Sequence, residues 1–138
     1  MRNGTEADLP ALQTILANNQ MEVNVNPDEF LLAEIDGELV GIARLENEAD
    51  QVYLRPIVVD SKWHGKNIGT ALVRRIAHGV DVLHVVARGQ STGFYQKLGF
   101  LPIPWEQVPM RYQQECNACP DLAECQPQPM VLSEPIDV

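Results

Sequence analysis

Ile57-Val58-Val59-Asp60-Ser61-Lys62-Trp63-His64-Gly65-Lys66-Asn67-Ile68-Gly69-Thr70 runs from the end of a strand, through a short polar loop, into a helix. The helix is expected over residues 65–78, because Ile68, Leu72 and Ile76 recur at i, i+4 and i+8 with Ala71 beside them. Gly65 and Gly69 let the backbone lie close to a ligand, and Asn67 is the non-glycine type that best tolerates positive φ. The free N–H groups of a first helical turn, with the helix dipole behind them, favour an anion. Lys66 adds a full positive charge, so the segment is built as a phosphate cradle. Two glycines in such a turn also serve simple packing, so the segment does not decide the matter alone. It is not the mononucleotide loop, because Gly65-Lys66 is followed by Asn67 and no glycine precedes it at the required distance. The dinucleotide fingerprint G-x-G-x-x-G is absent as well.

Upstream, Asp8 to Asn18 reads as a helix on Leu9, Leu12, Ile15 and Leu16, with Thr5 or Asp8 as its cap and Pro10 in its first turn. Phe30–Ile35, Asp36-Gly37 and Leu39–Leu45 form a hairpin, since Asp-Gly supplies the positive φ angles of a primed turn. Gln51–Val59 is a third strand, interrupted at Pro56 by an edge or a bulge. Downstream, Gly79 stops the helix, Val82–Ala87 is a buried strand, and Ser91–Leu98 is a short helix stopped by Gly99. Beyond Phe100 the chain is irregular and proline-rich, with a last strand at Met130–Ser133. The early hairpin is antiparallel and the strand–helix–strand units favour parallel pairing, so a mixed sheet with helices on its faces follows.

The second informative segment is Phe94-Tyr95-Gln96-Lys97-Leu98-Gly99-Phe100, one helix and one strand after the cradle. V-x-x-x-x-x-G-x-N-x-G followed by F-Y-x-K-L-G-F resembles the two signature motifs of the GCN5-related N-acetyltransferases (GNAT), and element order over residues 2–100 is similar too. The family's usual Gln/Arg-x-x-Gly-x-Gly/Ala is here His64-Gly65-Lys66-Asn67-Ile68-Gly69, departing at His64 and Asn67. His64 makes the phosphate contact weaker or pH-dependent, because a neutral imidazole carries no charge.

The resemblance implies an α/β (α+β) fold: a mixed, mostly antiparallel sheet with a splayed parallel central strand pair and helices on both faces. It implies a single acetyltransferase domain over residues 1–138, with 101–138 as an irregular tail carrying the prolines and cysteines. Carried over by position, Ile57, Val58 and Val59 pair with the pantetheine arm of acetyl-CoA, the cosubstrate. His64, Gly65, Lys66, Asn67, Ile68, Gly69 and Thr70 cradle its pyrophosphate. The implied reaction is direct transfer of the acetyl group to the amine of a small acceptor, an amino acid or small amine. An amine attacks the thioester carbonyl, a tetrahedral oxyanion forms, and the thiolate leaves. Tyr95 takes the family's usual general-acid position; a phenol near its ordinary value of about 10 is protonated at neutral pH. A backbone N–H near Val58 or Val59 serves the oxyanion. For the base, Glu46, Glu48, Asp60 and His84 are all open, as is a water chain. Arg55, a charge within an apolar strand, is a candidate for a substrate carboxylate, with an outward-facing arginine as the alternative.

Composition is ordinary for a globular protein: 45% hydrophobic and 21% charged residues over 138 residues suit one core. Net charge −9 argues against nucleic acid. The charge is uneven: 1–60 hold twelve acids against Arg2, Arg44 and Arg55, while 61–100 hold six Lys and Arg against Asp81. A basic middle in an acidic protein focuses an anionic ligand, or is simply the solvent face of two helices. No apolar run reaches membrane-spanning length and the first residues lack a secretory stretch, so a cytoplasmic protein is expected; a homodimer is compatible. Cys116, Cys119 and Cys125 form C-x-x-C-x₅-C, which reads as loop or unpaired thiols in a reducing compartment rather than a metal site, since zinc ordinarily wants four ligands. A coenzyme-binding sensor without catalysis, and a metal- or redox-sensing protein centred on these cysteines, are the rival readings.

Overall fold

A computed structural model of the chain describes residues 1–19, 21, 25–118 and 125–133. Its described residues divide into two compact units, Met1–Glu46 with Leu54–His78, and Asn47–Tyr53 with the described residues from Gly79 onward. Seven strands hydrogen-bond in the order β1-β2-β3-β4-β5-β7-β6, numbered along the chain as introduced below, and β4–β5 is the parallel pair. This is the mixed sheet that the order of elements implies, mostly antiparallel as the family resemblance implies.

In the first unit, β1 (Arg2–Asn3) pairs with β2 (Phe30–Ile35), which pairs with β3 (Glu38–Glu48). The β2–β3 turn is the one expected: Asp36 has φ 53° and Gly37 φ 80°. Before α1 (Leu9–Asn18) comes a single 3₁₀ turn, Glu6–Asp8. Thr5 donates its N–H to the Asp8 carboxylate at 2.8 Å, and Arg2 grips the same carboxylate with two nitrogens at 2.7 and 2.8 Å. Leu12, Ile15 and Leu16 of α1 pack with Phe30, Leu32, Ile42 and Val58 in one buried cluster. Each such side chain contributes about 1.5–3 kcal/mol on burial, so this cluster, not the surface ion pairs, holds the unit together.

From Leu54 onward β4 (Gln51–Val59) belongs to this unit and continues through Pro56 as strand. The helix α2 (Ile68–Ala77) starts later than its periodicity predicts, because Gly65 and Asn67 hold positive φ ahead of it. It lies close against β3: a Cβ on Gly41 would come within 2.9 Å of Leu72 and 3.2 Å of Ile68. Glycine at 41 is what permits that approach.

In the second unit, the parallel ladder consists, among the described residues, of Tyr53 opposite His84 on β5 (Leu83–Ala87). The helix α3 (Thr92–Lys97) and the strand β6 (Leu101–Pro102) follow, and Gly79 (φ 87°) and Gly99 (φ 101°) stop the preceding helices as expected. Residues after Phe100 are more ordered than their prolines suggest: α4 (Met110–Ala118) and β7 (Gln128–Leu132) lie there. β7 pairs antiparallel with β5 and β6. Tyr53 is buried with Val108 and Tyr112, and its ring lies 4.7 Å from Tyr112 and 5.1 Å from His84. Among the described residues no helix is long and apolar enough to cross a membrane.

Candidate active site

The cradle segment lies wholly in the first unit. Asp60 donates its N–H to the Val40 carbonyl at 2.8 Å, so its backbone turns towards β3. Backbone direction alternates along a strand, so Val58 also faces β3, while Ile57 and Val59 present theirs to the opposite edge. Past the strand, a 3₁₀ turn at Ser61–Trp63 is capped by the Asp60 side chain, which accepts the Lys62 N–H at 3.2 Å. Lys62 reaches back to Glu38 of β3 at 2.5 Å.

Gly65 has φ 80° and Asn67 φ 63°, the two left-handed positions that the sequence marks for them. Asn67 is the N-cap of α2, yet its side chain makes no capping bond, and the first helical bond is Ala71 N–H to Asn67 carbonyl at 3.1 Å. The N–H groups of Ile68, Gly69 and Thr70 therefore lie ahead of the helical ladder, the position at which helix N-termini can receive an anion. Asn67 and Thr70 also line an open groove of about 710 Å³ with Met1, Ala71, Arg74 and Arg75. Lys66 is exposed beside the cradle.

His64 is placed in a way that the sequence does not reveal. Its Nε2 lies 2.9 Å from the Val59 carbonyl, on the edge of β4 that faces away from β3. A carbonyl only accepts, so Nε2 carries the proton and donates it.

Tyr95 lies in the second unit, on α3. Its ring is 5% exposed and meets Phe94 and Phe100 edge-on, with centroids 5.0 and 5.3 Å away. Among the described residues its hydroxyl has no hydrogen-bond partner, and the buried, unpartnered polar side-chain atoms there are Trp63 Nε1 and His84 Nδ1. The hydroxyl is thus not sealed inside the protein. Burial of the ring pushes the phenol up to about 12.

The acids proposed as bases are all engaged elsewhere. Glu46 accepts from Arg44 at 2.9 Å and lies 4.0 Å from Arg55. Glu48 accepts from Arg111 at 2.8 Å, and Asp60 caps its own turn. His84 is 9% exposed and stacks on Tyr53; burial lowers its pKa, partly opposed by a backbone hydrogen bond with Val52. Arg55 keeps 41% of its side chain exposed, and its carbonyl accepts from Arg44 Nε at 3.1 Å. Arg44, which the sequence does not single out, also sits over the Phe30 ring at 5.5 Å. Of the cysteines, Cys116 is half-buried at the end of α4 and Cys125 half-buried before β7, while Cys119 lies outside the described residues. Among the described residues no group of three His, Cys, Asp or Glu side chains is arranged to hold a metal ion.

Known proteins align with both the sequence and the fold. Residues 26–102 match the acetyltransferase (GNAT) domain family. An acetyltransferase from Pectobacterium atrosepticum is 29% identical over 59% of this chain, which spans 63% of that relative's length. An uncharacterized N-acetyltransferase from Chlorobaculum tepidum is 24% identical over 75% of this chain and 69% of its own. Among solved structures, Rv2747 from Mycobacterium tuberculosis, in complex with CoA and NLQ, superposes with a TM-score of 0.71 at 21% identity. That superposition covers 96% of this chain and 97% of that one. N-acetylglutamate synthase from Neisseria gonorrhoeae, complexed with coenzyme A and N-acetyl-glutamate, gives a TM-score of 0.73 at 16% identity over 94% of this chain and 34% of its own. These structures share the fold, and the domain match covers more than half of the sequence: the chain belongs to the GNAT acetyltransferase family.

Proposed function

We propose that this protein is an acetyl-CoA-dependent N-acetyltransferase acting on a small amine, preferably an amino acid. The observation that carries the reading is the cradle: a left-handed Asn67 without a capping side chain leaves the first turn of α2 to receive a pyrophosphate, in a chain of this family. The residues fit such a ligand. Ile57 and the N–H of Val59 face the edge away from β3 and are proposed to meet the amide groups of pantetheine, while Val58 faces β3 and packs its side chain into the core. Gly65, Lys66, Asn67, Ile68, Gly69 and Thr70 are proposed to surround the anion, with Lys66 supplying charge and His64 opening the segment beside them. Acetyl-CoA supplies the activated acyl group.

Tyr95 is the proposed acid. A phenol at about 12 remains protonated across the physiological range. Outright transfer to a thiolate with an ordinary value near 8.5 would run uphill by about 5 kcal/mol. Tyr95 therefore acts first as a hydrogen-bond donor to developing charge on sulfur. Its proton moves as burial raises the sulfur's own proton affinity. The Val59 N–H, on the edge that β3 leaves free, is the proposed oxyanion donor. Arg55 is proposed to take the acceptor's carboxylate, since 41% of its side chain is exposed and a guanidinium can meet a carboxylate in bidentate fashion.

The test is release of free thiol from acetyl-CoA across a panel of amino acids and simple amines. Tyr95→Phe should lower kcat by about 10²–10⁴-fold, the range for losing a positioned acid. Turnover at the wild-type rate in Tyr95→Phe refutes the assignment. Coenzyme binding without turnover of any amine would favour the non-catalytic sensor. Arg55→Ala should raise KM for carboxylate-bearing amines and leave amines without a carboxylate near their original KM.

A further inference from the structure

We propose that His64 is a positioning residue: its Nε2–H bond to the Val59 carbonyl sets the cradle loop in its binding shape, so that coenzyme affinity depends on that bond. The proposal rests on the acetyl-CoA reading above, and it concerns what this chain does with the position where it departs from the family pattern.

The loop between β4 and α2 is tied in two parts. Its first half is held to β3 or to itself. Asp60 N–H reaches Val40, Lys62 Nζ reaches Glu38, and Trp63 and His64 N–H close turns onto the Asp60 and Ser61 carbonyls at 2.9 and 3.2 Å. The second half, Gly65-Lys66-Asn67, carries both left-handed residues. A Cβ on Gly65 would meet nothing within 4 Å, so the side-chain direction there is open space. Among the described residues, the side-chain hydrogen bond next to this stretch is that of His64, at 2.9 Å.

The bond spans the end of the strand. Val59 points its carbonyl to the edge away from β3, and His64 crosses to it five residues later. The imidazole thereby spends its Nε2 donor on the protein rather than on a ligand. It also fills the carbonyl of Val59, so the strand edge offers an arriving extended ligand both backbone groups of Ile57 but chiefly the N–H of Val59. The residue at 64 thus shapes two parts of the site, where the left-handed turn begins and which strand groups remain for hydrogen bonding. Because a donor is all that the bond needs, a side-chain amide at 64 can replace the imidazole, whereas an aromatic ring of similar size without a donor cannot.

The experiment compares wild type, His64→Gln and His64→Phe. Calorimetry measures CoA affinity, steady-state kinetics the KM for acetyl-CoA and kcat, and hydrogen exchange the amides of residues 65–68 in coenzyme-free protein. Losing one such bond should weaken CoA binding about three- to tenfold in His64→Phe, with a matching rise in KM and little movement in kcat at saturation. Exchange at 65–68 should quicken by a similar factor, while exchange in α1 stays as in wild type, which shows that the unit is still folded. His64→Gln should recover most of both effects. Wild-type affinity in His64→Phe overturns the proposal. So does weakened affinity with wild-type exchange, which would mean that His64 touches the ligand directly. If wild type itself fails to bind CoA, the acetyl-CoA reading falls, and the exchange measurement alone still decides whether His64 holds the loop.

Discussion

Asp60–Asn67 in the first unit is exposed along nearly its whole length, and hydrogen bonds to Val40, Val59 and Ser61 carbonyls give it its shape. Tyr53, His84 and Tyr112 in the second unit are buried, and ring contacts at 4.7–5.1 Å hold them. A loop fixed by backbone angles and surface bonds can change its ligand preference without endangering the fold, because little apolar area depends on it. An aromatic cluster cannot, because each ring fills volume that its neighbours require. Substitutions in the loop should move affinity, and those in the cluster should move stability.

The sharpest way to break this contrast is Tyr53→Ala. Removing a buried aromatic ring typically costs about 3–5 kcal/mol, and Tyr53→Ala loses one stacked neighbour, His84, and one edge-on neighbour, Tyr112, at once. Urea denaturation should show the loss as a lower midpoint. Tyr53→Phe should cost about 1 kcal/mol, since it removes only the hydroxyl bond to Gln51 at 3.1 Å. If Tyr53→Ala were no less stable than Lys66→Ala, on the exposed loop, the division of roles would be wrong.

Asn67 tests the loop side. At φ 63° a β-branched residue is strained, so Asn67→Val should cost about 1–2 kcal/mol and weaken coenzyme binding by displacing the first turn of α2. Asn67→Gly should keep both stability and affinity near wild type, because glycine enters the left-handed region freely. Binding weakened equally in both variants would show that the asparagine side chain, rather than its backbone angle, serves the ligand.

The same contrast explains what could be read in advance. Gly65, Asn67 and the Asp36-Gly37 turn are marked by residue types that tolerate positive φ, and all four adopt it. The turn at Ala49-Asp50 adopts it too, with φ 51° and 62°, but alanine carries no such mark, so the long β3–β4 hairpin was not evident. Helix α4 hid because Tyr112 is its one buried residue, leaving no apolar stripe to recognise, and prolines crowd the sequence before and after it. The family motifs located the cradle and Tyr95. They could not reveal the His64 bond, since a side chain meeting a backbone carbonyl imposes no pattern on the residue that supplies the carbonyl.

The smallest effect belongs to His84. Burial lowers its folded pKa below the ordinary value, and its Nδ1 has no partner to share a proton with. The unfolded chain, near 6.5, therefore binds a proton that the folded chain resists. Stability from this group is complete above about pH 6.5 and declines as pH falls from there towards the folded value. Asp8, held well below the usual carboxylate range by Arg2, loses its contribution only below about pH 4. The two windows are separate, so a fall in melting temperature between pH 6.5 and 5 isolates the histidine. His84→Phe, which keeps a ring against Tyr53 and cannot be protonated, should flatten that slope while the acid-side fall persists. Parallel curves for wild type and His84→Phe would place the pH sensitivity outside the aromatic cluster and leave burial without a role in setting this group's charge.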